Sequence, residues 1–382
     1  QEVEQTVFDR LLVGSASTYP AAVSGYVTDS AAAATALATG VKSYNGAISV
    51  DVDKKPLKTV LQYAKEIGKK TGVVVTSQVN HATPASYITH NEYRRNYNEI
   101  ADSYIDNGIN IDLLLGGGTQ YFIREDRNLV EEFKAKGFQY IDQYEQLATI
   151  KANTPVLGLF APVGLPWSLD DSNPHRLSTM TKAATAHLEN KDGYFMLIEA
   201  SQVDWAGHSN DIPSAMAEMD DLAKTVLFLE QYVEKHPDTL VIITADHSTG
   251  GLTVGANGKY IWTPSAFKQM KQSVMSVAEF VAETEFTPKQ VAKMLTFELT
   301  NEQLEQLNAI KQDKSEALTQ KKRIKALYKK LNKFVSLKSN TGWTSGGHTA
   351  IDVPVFAFGK AHQQFSKKID NTDIAKTIFK LL

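Results

Sequence analysis

The sequence predicts an α/β protein, a three-layer sandwich with a mainly parallel, doubly wound sheet, helices on both faces and a helical insertion. Two observations lead there. Short apolar, β-branched runs are continuous rather than alternating, which marks strands covered on both faces. Longer helical patterns separate them. The strand runs fall at 72–76 (GVVVT), 111–115 (IDLLL), 194–198 (YFMLI), 240–244 (LVIIT) and 353–357 (VPVFA). Pro354 in the last run suits a strand start or an edge. Helical patterns lie near 56–68, 91–106, 177–189 and 212–234. From about 264 to 338 the alternation stops and helix follows helix, so this stretch reads as an insertion within a single domain spanning 1–382. Its lysine-rich part repeats Ile324, Leu327, Tyr328 and Leu331 at helical spacing. One face there is expected to pack and the other to be solvated, with a membrane-surface or acidic-partner role as the alternative.

Composition narrows the function. The chain has 382 residues, 42% hydrophobic and 22% charged, with a net charge of −3. That balance gives no broad basic field for nucleic acid. No run of about 18 apolar residues is present to span a membrane. The first residues, Gln1 to Gln5, are acidic and polar, unlike a secretory signal. There is no cysteine. Thiolate zinc sites and disulfides are therefore excluded, and any metal must be held by imidazole, carboxylate and hydroxyl groups.

Such groups cluster where strands end. Glu199, Asp204 and His208 follow the run at 194–198, and Asp204 and His208 are four residues apart, on one face of a helical turn. Asp246 and His247 follow the run at 240–244. His81 and Thr83 follow the run at 72–76, and His348 precedes the last run. Each pair alone fits a capped loop or a surface helix pair. Together, at the carboxyl ends of strands where open sheets place their sites, they point to a carboxylate–imidazole metal centre.

A nucleophile candidate lies near the N-terminus. Asp29 and Ser30 sit where a helix cap belongs, ahead of an alanine-rich run (AAAATALAT) that Gly40 would stop. A plain cap before a tightly packed helix explains the pattern. So does chemistry: a helix N-terminus attracts phosphate and favours ionisation of the Ser30 hydroxyl, which needs a base or a metal to attack.

The stretch 27–36 (VTDSAAAATA) resembles the nucleophile motif of alkaline phosphatases, and 40–47 (GVKSYNGA) is similar to the segment that follows it there. His81 to Ala85, Glu199 with Asp204 and His208, Asp246-His247 and Gly347-His348 match in the same order, from about Phe8 to the C-terminus apart from the insertion. The resemblance implies hydrolysis of small-molecule phosphate monoesters at alkaline pH, through a phosphoserine on Ser30, at a two-zinc plus magnesium site. It implies Asp204, His208 and His348 for the first zinc, Asp246, His247 and Ser30 for the second, and Thr83 and Glu199 for magnesium. Arg94, thirteen residues after His81, matches the arginine that clamps phosphate, oriented by Asp29. His81 and Trp205 stand at positions where the family varies. Because histidine is softer than aspartate, the third site is expected to prefer magnesium less and to admit zinc or cobalt. A periplasmic or secreted homodimer is also implied.

The family opens with a central apolar strand ending in an aspartate that bridges the second zinc and magnesium. No such strand is present in these 382 residues. Its loss would bare ladder groups and apolar faces on the neighbouring strands. The expectation is that part of the natural N-terminus is absent, and the alternative reading is a phosphate- and metal-binding protein without turnover. A sulfatase-like chemistry would need a Cys/Ser-x-Pro-x-Arg context, which Ser30 to Ala34 lacks.

Overall fold

The computed structural model describes residues 5–313, 315 and 318–382. The polar opening Gln1 to Glu4 lies outside them, as do Lys314, Glu316 and Ala317 within the 264–338 stretch. In chain order the first elements are α1 (Val7–Leu11), β1 (Leu12–Ser17), α2 (Ser30–Thr39), α3 (Val60–Glu66), β2 (Lys70–Gln78), α4 (Ala82–Ile88) and α5 (Tyr97–Asp106). Next come β3 (Leu113–Gly117), α6 (Thr119–Phe122), α7 (Leu129–Ala135), β4 (Gln139–Ile141), β5 (Val156–Leu159), α8 (Arg176–Leu188) and β6 (Tyr194–Glu199). They are followed by α9 (Gln202–His208), α10 (Ile212–Lys235), β7 (Leu240–Thr244), β8 (Ser248–Thr249) and β9 (Leu252–Val254). The helices α11 (Val274–Glu283), α12 (Pro288–Leu295), α13 (Asn301–Gln312) and α14 (Gln320–Ser339) form the helical stretch. The chain ends with β10 (Thr341–Trp343), β11 (His348–Thr349), β12 (Val353–Gly359), β13 (Lys367–Asp370) and α15 (Asn371–Leu381).

The fold is α/β, with a central parallel sheet of order β4-β5-β3-β2-β6 and helices around it. A second sheet, β13-β1-β12-β7, departs from the parallel expectation: β12 runs antiparallel to both β1 and β7. The reason is connectivity. The chain reaches β12 from β7 through the helical stretch and the short β8–β11 and β9–β10 ladders, a connection long enough for either pairing direction. Pro354 is the second residue of β12, opposite Ser15 of β1 and one residue ahead of the pairing with β7.

The sheets end at β6 and β7, and among the described residues no strand is hydrogen-bonded between them. Both strands are half-buried along their whole length, whereas β3 and β5 are buried throughout. Phe195 and Leu197 of β6 and Leu240 and Ile242 of β7 nonetheless pack on one shared core.

Two predicted helices begin later than their patterns suggest. The segment 91–94 spends its backbone elsewhere: Asn91 exchanges two hydrogen bonds with Ile48, and Arg94 N donates to Gly46 O at 2.8 Å. Helix α5 therefore starts at Tyr97, and Arg94 is carried toward α2. Helix α3 starts after Thr59, which forms a capping box with Gln62.

The helical stretch builds its own core from Val277, Val281, Val291, Leu307, Leu327 and Leu331. It is joined to the main body by α14, where Tyr328 donates to Asp211 Oδ2 at 2.6 Å and Asn332 Nδ2 donates to Ser209 O at 3.0 Å. The remaining face of α14 is lysine-rich and exposed. No helix among the described residues is long and apolar enough to cross a membrane.

Candidate metal centre

The site begins with α2. Alanine favours helix, and its small side chain lets the whole of α2 be buried. Gly40, at φ 76°, ends the helix in the left-handed conformation that glycine adopts without strain. Asp29 caps the other end: its Oδ1 accepts from Ala32 N and Gly46 N, both at 3.0 Å. Its Oδ2 pairs with Arg94 Nη1 at 3.0 Å. One carboxylate thus fixes the helix start and aims a guanidinium across it. Arg95, the neighbour of Arg94, is exposed and makes no such pair among the described residues. Ser30 occupies the first helical position, 4% exposed, with Oγ 3.0 Å from His247 Nε2.

The remaining groups arrive from both sheets. Beyond β6, helix α9 puts Asp204 and His208 on one face, with Asp204 Oδ2 3.5 Å from His208 Nε2. Beyond β7, Asp246 Oδ2 lies 3.1 Å from His247 Nε2. The β11–β8 ladder sets His348 opposite Thr249, and the His348 ring stacks on His247 with centroids 3.5 Å apart. Asp204, His247 and His348 offer ligand atoms that all lie within 4.8 Å of one another. This tightest group takes two members from the set expected for one zinc and one from the other.

The donor chemistry fits cations. His208 Nδ1 lies 2.8 Å from Gly346 O, and His348 Nδ1 lies 2.8 Å from Thr28 O. A carbonyl only accepts, so each Nδ1 carries a proton. The lone pairs of both Nε2 atoms then face each other across 3.2 Å, an arrangement that a shared proton or a cation relieves. Beside Thr83, Glu199 Oε2 and His81 Nδ1 are buried without hydrogen-bond partners. The Trp205 ring meets His81 edge-on at 5.8 Å, and a side chain at Gly164 would strike that indole at 2.4 Å. Sequence reasoning passed over Thr249 and the Thr28 and Gly346 carbonyls that anchor the rings. Spacing two after His247 was the one available signal.

Burial and neighbouring charge set the protonation states. Burial holds His81 down to about 3, helped by Arg94, so its ring is neutral throughout the working range. Burial opposes ionisation of Asp246, but His247 and then His348 outweigh it and hold the carboxyl below the usual range. The reverse applies to His247: burial opposes its charge, and Asp246 raises its pKa overall. Glu199 is pushed up to about 7 by burial, against the Ser201 and Thr83 hydroxyls. Between the usual 4.5 and about 7, the folded metal-free chain therefore holds a proton that the unfolded chain has released. Stability from this group is expected to fall as pH rises through that window, by roughly 3 kcal/mol, and to level off above it. Thermal melts of the metal-free protein from about pH 5 to 8 check the slope. Glu199→Gln should flatten it, and a slope unchanged in that variant would assign it to another group.

The family description "Alkaline phosphatase" matches residues 1–382. Alkaline phosphatase 3 of Bacillus subtilis is 45% identical over 386 residues, covering 100% of this chain and 82% of that protein. The cold-active alkaline phosphatase from a Shewanella species superposes with a TM-score of 0.92 at 48% identity, covering 100% of this chain and 93% of that one. A histidine-to-aspartate variant of the alkaline phosphatase from the Antarctic bacterium TAB5, with magnesium in its M3 site, gives a TM-score of 0.72 at 25% identity, covering 100% and 91%.

Proposed function

This chain belongs to the alkaline phosphatase family and is a phosphomonoesterase, and from that premise we propose that it hydrolyses its esters through a phosphoserine on Ser30. The supporting observation is the placement of Ser30 Oγ at the mouth of α2, 3.0 Å from His247 Nε2 and beside the Asp29–Arg94 pair.

Asp204, His208 and His348 would hold one zinc, Asp246, His247 and Ser30 Oγ the second, and Thr83 with Glu199 a magnesium. The M3 magnesium named for the TAB5 variant supports a third position of this kind. When bound, these ions favour the Ser30 alkoxide, offset charge on the departing oxygen and neutralise the buried Glu199. His81 beside that position would make the magnesium preference weaker than a carboxylate would.

The chain's own groups account for orientation. Ala32 N and Ala33 N are spent on Asp29, which leaves the Ser30 and Ala31 N–H groups of the first turn for phosphoryl oxygens. Arg94 reaches the same oxygens as a planar fork, held by Asp29 against rotation. Ser30 Oγ attacks phosphorus, the P–O bond to the alcohol breaks opposite, and the serine ester is then hydrolysed.

Acid quenching during turnover of p-nitrophenyl phosphate, followed by peptide mapping, is expected to find phosphate on Ser30 and on no other residue. The sulfate ester should release little p-nitrophenol by comparison. Turnover with an unlabelled Ser30 would overturn the covalent route, and absence of turnover with zinc bound would favour phosphate binding without catalysis.

A further inference from the structure

We propose that Thr249 is a positioning residue shared by the two halves of the metal centre, fixing which nitrogen of His247 and which oxygen of Asp204 face the cations. Thr249 Oγ1 donates to Asp204 Oδ1 at 2.5 Å and lies 3.1 Å from His247 Nδ1. A hydroxyl has one proton. With that proton committed to the carboxylate, Thr249 can only accept from His247, so Nδ1 must carry the ring proton. Nε2 is then the atom left to serve as ligand, and it is the atom turned toward Ser30 Oγ at 3.0 Å and Asp246 Oδ2 at 3.1 Å.

The same hydroxyl sorts the Asp204 oxygens. Oδ1 is tied to Thr249, whereas Oδ2 faces His208 Nε2 at 3.5 Å. Oδ2 is thereby the Asp204 oxygen left free of Thr249 and turned toward the His208 side of the centre. His208 and His348 are anchored by main-chain carbonyls, which no side-chain substitution removes. Among the three imidazoles of the cluster, His247 is the one whose anchor is a side chain. Thr249 also spans the sheets, because Asp204 follows β6 and His247 follows β7. Its position is set by the ladder that pairs it with His348.

The proposal rests on the zinc reading above, and its test separates the two. Thr249→Val keeps the shape and removes the hydroxyl, and Thr249→Ser keeps the hydroxyl. Chelator competition is expected to show zinc bound roughly 10- to 100-fold more weakly in Thr249→Val, with Thr249→Ser near the parent. Equal affinity in all three, or equal weakening in both variants, would overturn the proposal. Nitrogen-15 correlation spectra of the zinc-free parent at alkaline pH should show the His247 proton on Nδ1. A bare Nδ1 with protonated Nε2 would refute it, even if Thr249→Val fails to fold. Those spectra require no turnover, so the ring assignment can fail while Ser30 is phosphorylated, and can stand while it is not.

Discussion

Replacing Ser30 by alanine is expected to lower kcat by roughly 10³- to 10⁶-fold at saturating zinc while leaving the fold and the first zinc in place. The expected loss is large because Oγ is the group placed to form the new bond to phosphorus. The fold should tolerate the change. Position 30 opens a helix that continues with four alanines, and alanine is the better helix former. The cap comes from Asp29, not from Ser30, and Arg94 keeps its partner. Inorganic phosphate should therefore still bind and inhibit. Steady-state kinetics, elemental analysis and a melting curve on one preparation check all three points. Turnover within tenfold of the parent would remove Ser30 from the reaction.

Stripping the metals is expected to abolish turnover and to lower the melting temperature, and zinc with magnesium should restore both. Without cations, the Asp204 and Asp246 carboxylates remain in one half-buried site with two Nε2 lone pairs 3.2 Å apart. Ions that bind only the folded chain stabilise it by about 2.7 to 4.1 kcal/mol each at 100 to 1,000 times their dissociation constant. The effect should be cooperative across the molecule, because the ligands hang from β6 in one sheet and from β7 and the β8–β11 ladder in the other. Scanning calorimetry before and after chelation measures it. A protein free of zinc by elemental analysis that still turned over its ester would count against the assignment.

Much of this architecture could be read from the chain because burial on both faces demands unbroken apolar runs. Strands β2 and β3 are of that kind, and β6 and β7 carry equally unbroken runs although each is only half-buried. Strand β1 (LVGSAS) is not: glycine and serine interrupt it, and its partners β12 and β13 lie more than 330 residues away by number. The split into two sheets and the antiparallel β12 depend on such distant pairings, which no local pattern encodes. The candidate ligands were legible for a chemical reason, since few side chains bind borderline metals once cysteine is absent. Arg94 was placed by spacing, but its delivery depends on the hydrogen bonds that hold 91–94 out of helix α5. Thr249 was invisible because threonine is common, and its meaning comes only from the register that sets it against His348.

The tie between α14 and the turn after His208 divides the helical stretch into unequal parts. Helices α12 and α13 close over their own apolar interior and can lengthen, shorten or exchange residues with little consequence elsewhere. Tyr328 and Asn332 cannot, because they grip Asp211 and Ser209 directly behind a histidine of the centre. Sequence drift in this outrigger should therefore spare one inner edge, and a graft of a foreign cap onto this scaffold would succeed only if it kept those two handholds.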